Sequence, residues 1–418
     1  MSRPTSPFLA PYLAALALSL AACGGASDDR GTRPAATVDT VDGVALLSYP
    51  DTPAPELAWR LDTLFVLGGY EQEDAAFQFG QIGSSSLAGT DDGDLFVLDG
   101  MASRVLGFDR TGAPTGTWGR EGGGPGELQM PGGLGVGPGD SLWIADRGNR
   151  RVTIYPPDPD GEAGEISLSD AASGLGGSLS IDGTGLYGVG VIFSFTPGAD
   201  VSVPPQRLLH VTRSGEVADT VWTAPPREFD QVELTSGGSR MMMLMQRRFT
   251  PGFWWSRFSD GTFALSDSPE YDIAFVAPDG TVRRRVRRAP AAAPTTEEDR
   301  ERARRQTREQ AETSTSDAVR QSVEQRIEKM TFAETVPRIT GLAVDREDRL
   351  WVGVATDVPE ETGRIDVYDR EGALLGEIRS PEFFPAVFFG EDRAAIVDRD
   401  ELDVPRVIVL ALREDAAG

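Results

Sequence analysis

The chain has 418 residues, 65 of them acidic and 40 basic, for a formal charge of −25. A surface this acidic argues against a nucleic-acid partner and against adhesion to anionic lipid by charge. One cysteine permits no intramolecular disulfide, and one histidine beside it argues against a zinc site of the usual His/Cys type.

In chain order, the first 22 residues stand apart: Arg3 is their only charge, and Phe8 to Leu20 is an apolar stretch broken by Pro11, Tyr12 and Ser19. As a helix that stretch would reach only about 20 Å, short of the roughly 30 Å hydrocarbon core, so it reads as the apolar part of an export signal. Leu20-Ala21-Ala22-Cys23-Gly24 then resembles the lipobox of bacterial lipoproteins. The resemblance implies that the Cys23 thiol carries a diacylglyceryl group and becomes the new N-terminus. Two or more acyl chains give stable anchoring where one does not. Losing Arg3 with the signal leaves 39 basic against 65 acidic residues, a charge of −26. Residues 23–57, rich in Ala, Gly, Asp, Thr and Pro, are expected to form a flexible tether. Gly24 lacks the Asp of an inner-membrane retention signal, which leans the anchor toward the outer membrane of a bacterial envelope.

From residue 58 to 414 one pattern recurs: an acidic or glycine turn, then a Leu-aromatic pair opening a short strand. Leu95-Phe96, Leu142-Trp143, Leu186-Tyr187, Thr262-Phe263 and Leu350-Trp351 carry it, with Ala394-Ala395 a degenerate sixth. The first members stand at 95, 142, 186, 262, 350 and 394, in steps of 47, 44, 76, 88 and 44. Three steps match the period of about 40–50 residues of a four-stranded propeller blade. Each such strand is followed by an alternating strand, and most of these end in Thr-Gly, Ser-Gly, Asp-Gly or Glu-Gly, where glycine reaches the positive φ of a hairpin turn. The expectation is an all-β, six-bladed β-propeller of four-stranded antiparallel blades. The last repeat ends near Arg413 without room for its outer strand, so Ala58 to Leu67 is expected to supply it and close the ring.

The two long steps read as insertions. Residues 295–330 are dominated by Glu, Arg, Gln and Ala, with Val319, Val323 and Ile327 at helical spacing, and predict one or two helices broken near Thr313 to Ser316. Pro225 to Trp255 reads as a long loop or hairpin carrying Met241, Met242, Met243 and Met245.

With the blades in register, Gly119-Arg120-Glu121-Gly122-Gly123-Gly124-Pro125-Gly126-Glu127-Leu128 and Leu142-Trp143-Ile144-Ala145-Asp146-Arg147-Gly148-Asn149-Arg150-Arg151-Val152 resemble the NHL repeat, strongly in this blade and partly in the first and fifth. The mature chain also resembles six-bladed propeller lipoproteins of bacteria. Those resemblances imply the fold and leave the activity open, since propellers host hydrolases, lyases, receptors and scaffolds alike.

Few groups remain for chemistry. His210 lies mid-strand between Leu209 and Val211 and reads as a satisfied strand histidine rather than a triad base. Asp99, Asp146 and Asp398 recur at one blade position; they would either bind loop amides in their own blades or converge on Ca²⁺ in the channel, as resemblance to sugar-lactone hydrolases implies. Asp158 to Glu162 and Asp398 to Asp403 read as solvated turns, and the methionines as apolar filling rather than a Cu(I) site. Arg283 to Arg288 is expected to contact Glu297, Glu298 and Asp299. Trp254, Trp255, Arg257 and Tyr271 are read as exposed-loop residues and are the candidate ligand residues: adjacent tryptophans on an extended strand cannot both face one core, so one would line the propeller face. The function expected is a membrane-anchored, extracytoplasmic binding or scaffold lipoprotein, non-catalytic and without a required cofactor, that binds a protein partner or small ligand. A Ca²⁺-assisted hydrolase or lyase is the alternative.

Overall fold

The computed structural model describes residues 34–72, 74, 77–191, 204–236, 239–312, 317–355, 363–379 and 384–414. The apolar leader and Cys23 lie outside them.

Six four-stranded antiparallel sheets follow one another along the chain as the blades of a propeller. Blade one spans Leu87–Gly89 to Pro114–Trp118, blade two Pro131–Val136 to Gly164–Ser167, and blade three Leu175–Ile181 to Val217–Thr223. Blade four runs from Trp254–Arg257 to Val282–Arg288 and blade five from Ile339–Val344 to Leu374–Arg379. Blade six takes Val387–Phe389, Arg393–Arg399 and Pro405–Glu414 from the C-terminal end and Trp59–Gly68 from the N-terminal end, so the ring closes as the sequence predicts. Closure by strand pairing leaves no open joint between first and last blades.

The period-two alternation of each strand sends side chains into the seams on either side of its blade. Each seam holds one apolar cluster. Phe96, Trp118 and Leu142 fill the seam of blades one and two, and Trp143, Leu186 and Leu209 the next. Tyr187, Phe263 and Leu265 fill the third, Phe275, Leu350 and Tyr368 the fourth, and Trp351, Phe388 and Leu412 the fifth. Leu95, Phe108, Phe389 and Val409 close the circle. The Leu-aromatic pair is thus explained: its two residues point into opposite seams, Leu142 toward blade one and Trp143 toward blade three.

Both insertions are present. Phe229–Ser236 and Ser239–Gln246 pair as a hairpin, and helices α1 (Glu297–Glu312) and α2 (Asp317–Glu328) form the second insertion. No helix among the described residues is long and apolar enough to cross a membrane.

One expectation fails. Thr37–Val41 and Val44–Tyr49, expected to lie in the flexible tether, form a hairpin whose second strand pairs in parallel with Val282–Arg288, extending blade four to six strands. Asp42 and Gly43, both at positive φ, make its turn. Ala54 and Glu56 then run along blade five, held by Glu377, before the chain enters blade six.

Candidate functional site: the channel mouth

The inner strands break register where they approach one end of the central channel. In blade two the pairing passes from Pro131–Asp146 to Leu134–Ile144, leaving Gly132 and Gly133 without cross-strand partners in their blade. Blade three does the same between Gly176 and Ser180, and blade five between Ile339 and Gly341. Such bulges bend a strand and re-aim its side chains, and they are common beside functional sites. Glycine is required here by contact: a β-carbon on Gly133 would stand 2.2 Å from the carbonyl oxygen of Gly177, so blades two and three meet backbone to backbone.

These strand entries surround a cavity of about 570 Å³, within the range of small-molecule sites. All six blades contribute to it or to the loops entering it. Its walls include Ser84 and Ser85 before blade one, Arg147 of blade two, Gly176 and Ser178 of blade three, Trp254 and Trp255 of blade four, Gly341 of blade five, and Phe384 before blade six. The predicted divergence of the two tryptophans is observed. Trp254 packs against the seam of blades four and five and Trp255 against that of blades three and four, and both are half-buried at the cavity wall. Two buried polar atoms of the lining, Trp254 Nε1 and Gln206 Oε1, have no hydrogen-bond partner among the described residues.

Arg147 is the only charged residue lining this cavity among those described, in a chain of 65 acidic residues. Among the described residues its guanidinium has no ion-pair or hydrogen-bond partner, and it lies against the α-carbon of Gly132, where a β-carbon would come within 2.2 Å of Nε. The result is a water-accessible cation beside aromatic and glycine surface, able to receive an anionic group from a ligand whose apolar part covers the tryptophans.

The other two candidates leave this site. Arg257 sits at the opposite end of the strand Trp254–Arg257, about 10 Å from Trp254 at the usual rise per residue. It clamps blades three and four: Nη2 donates to Asp182 at 2.7 Å, and the guanidinium lies over the Tyr187 ring at 4.6 Å. Tyr271, expected in an exposed loop, is buried in the seam of blades four and five. Its hydroxyl is 2.9 Å from both Asp366 Oδ2 and Tyr368 Oη. Burial, and then the nearby Asp366 and Tyr368, push its pKa well above the usual value.

Asp99 and Asp146 act within their own blades. Asp99 accepts from the backbone amides of Gly80, Gln81 and Ala102. Asp146 accepts from the Gln129 amide, Asn149 Nδ2 and Arg151 Nε, while Arg151 Nη2 holds the carbonyls of Gly124 and Glu127. The Asp-Asn-Arg signature therefore fastens the glycine-rich entry loop. Asp398 pairs with Arg406, and no group of three or more metal-ligating side chains converges among the described residues. His210 stacks on Tyr187 with ring centres 4.5 Å apart and its Nε2 is 3.0 Å from Thr184 Oγ1.

The basic run does not meet Glu297, Glu298 or Asp299. Arg285 and Arg287 pair with Asp272 on the adjacent strand, at 2.9 and 2.8 Å, because strand alternation places them over it. Arg288 faces the other way, into the seam, 2.6 Å from Asp366. Glu297 and Asp299 pair instead with arginines of their own helix.

No protein-family model matches the sequence, and no curated protein is similar to it. Among solved structures, a Bacteroides fragilis chain described as exported is 13% identical, over 89% of this chain and 100% of that one, with a TM-score of 0.46. A DUF4221-family member from Bacteroides vulgatus is 10% identical, over 86% of this chain and 99% of that one, with a TM-score of 0.46. Virginiamycin B lyase from Staphylococcus aureus is 11% identical, over 84% of this chain and 99% of that one, with a TM-score of 0.40. None of these likenesses carries an activity to this chain. The class defined by strand order and closure is the six-bladed β-propeller.

Proposed function

We propose that this chain is an extracytoplasmic binding lipoprotein, held at a bacterial membrane by acyl chains on Cys23, whose channel mouth takes a small organic anion. The observation that carries the reading is Arg147: the one charge among the described lining residues, without a partner among them, in the same cavity as Trp254 and Trp255. The lipobox-like Leu20 to Gly24 and the apolar stretch before it support the anchor. Tethering confines the search for a membrane-associated source of ligand to the membrane surface and raises effective concentration there. The NHL-like Asp146, Asn149 and Arg151 build the wall beside the cavity and do not themselves bind the ligand.

A titration of the intact chain with 3-phenylpropanoate, followed by tryptophan fluorescence, tests the binding half. Saturable quenching that weakens at least ten-fold in Arg147→Gln is expected; binding indifferent to that substitution would remove the cavity from the account. For the anchor, Cys23→Ser is expected to abolish metabolic incorporation of an alkyne-tagged fatty acid. Labelling that persists in that variant would sink the lipoprotein reading.

A further inference from the structure

A second chamber of about 430 Å³ lies between blades one and two, walled by Gln81, Ile82, Leu98, Gly100, Met130 and Pro131 among others. It shares Ser85 and Arg147 with the channel-mouth cavity. Arg147 therefore lines both spaces, and its position against Gly132 sets the guanidinium on the ridge between them. Neither chamber has an acidic residue among its described lining, and Arg147 is the only basic one in either. On the far side of the ridge Ile82, Leu98, Pro131 and the exposed side chain of Met130 offer an apolar patch beside the polar Gln81, Ser85 and Ser86.

We infer that the two chambers form one site for an elongated organic anion that carries its charge between two apolar ends. The inference rests on the reading of the channel mouth as an anion site and adds its extent and the shape of its ligand. The charge sits on Arg147. One end lies on Trp254, Trp255 and Phe384, and the other enters the chamber of blades one and two. A ligand with an apolar group on one side only leaves the apolar patch of the second chamber in water. Burying the second group adds affinity in proportion to the apolar area removed from water. Covalent linkage of the two ends makes the second contact intramolecular, which adds to this gain.

Gly100 gives a clean way to close the second chamber alone. A β-carbon there would meet nothing nearer than 3.8 Å, and its φ lies outside the glycine-favouring region, so Gly100→Phe fills the space without forcing the backbone. The experiment titrates the intact chain with acetyl-Phe-Glu-Leu-amide, its Phe-Gln-Leu counterpart and 3-phenylpropanoate, in wild type, Gly100→Phe and Arg147→Gln. The Glu peptide is expected to bind at least ten-fold tighter than both other ligands. Gly100→Phe is expected to remove that advantage while leaving 3-phenylpropanoate unchanged. Dibutyl phosphate separates the two sources of such an anion: tighter binding than the peptide assigns a phosphodiester, weaker binding a carboxylate, and a loss of its binding in Gly100→Phe supports the joined site in either case. A Glu peptide no tighter than 3-phenylpropanoate, or one indifferent to Gly100→Phe, overturns the joined site and leaves the single-cavity reading standing. If no probe binds in an Arg147-dependent way, both fall.

Discussion

Asp146 and Arg147 are neighbours in one turn of blade two, and they have opposite fates. Asp146 is 0% exposed and holds an amide, an asparagine and an arginine. Arg147 is exposed, with no side-chain partner among the described residues, at the edge of a cavity. Asp146 is the last residue of the strand Leu142–Asp146 and is held within its blade, whereas Arg147 opens the turn that follows and lies at the cavity wall. The seam of blades four and five sharpens the contrast, because there Arg288 is 1% exposed against Asp366 at 0% and Glu377 at 3%. Asp146 and Arg288 are fixed in networks that hold the blades, whereas Arg147 is left open at the channel mouth.

That division orders the expected effects of mutation. Arg288→Met removes the buried partner of Asp366 and Glu377, which keep only the more exposed Arg364 and Arg379, and loss of one member of a buried ion pair costs about 3–5 kcal/mol. Urea unfolding is expected to show a loss of that size; a change below about 1 kcal/mol would mean the seam does not depend on its ions. Asp146→Ala leaves the Gln129 amide and part of Arg151 unsatisfied, for an expected loss of about 1–3 kcal/mol. Faster proteolysis within Gly119 to Leu128 should accompany it, since Arg151 holds that loop.

Acid titration separates a third pair. Burial by itself would raise the Asp182 carboxyl, but hydrogen bonds from Thr184 and Arg257 outweigh it and hold the pKa down to about 2. A folded-state value below the unfolded one, about 3.9, contributes stability that is present above pH 4 and lost as the pH falls through about 2. Asp182→Asn is therefore expected to flatten the pH dependence of stability between about pH 4 and 2. An unaltered slope there would show that Arg257 does not depend on Asp182 to clamp blades three and four.

The repeat was legible because its signals are local. Leu-aromatic pairs, Asp-Gly turns and a period near 45 place each blade without knowledge of its neighbours, and the missing outer strand of blade six pointed to Trp59–Gly68. The hairpin at Thr37–Tyr49 was missed because its partner strand lies more than 200 residues away and the pairing is parallel, a contact that no periodicity reveals. Tyr271 and Arg257 were read as exposed because each stands beside turn residues, whereas neighbouring blades cover them. Arg147 carried no comparable signal, because it follows the strand Leu142–Asp146 in a turn where strand alternation no longer sets side-chain direction.

The central claim is that Arg147 serves a ligand and not the fold, and one variant tests it in both respects. Arg147→Gln would be measured for unfolding free energy and for 3-phenylpropanoate binding on the same preparation. An exposed, unpaired side chain changes stability by no more than about 0.5 kcal/mol, so unfolding is expected to match wild type while binding weakens at least ten-fold. A variant that binds as wild type does, or that loses stability on the scale of Asp146→Ala, would contradict the account.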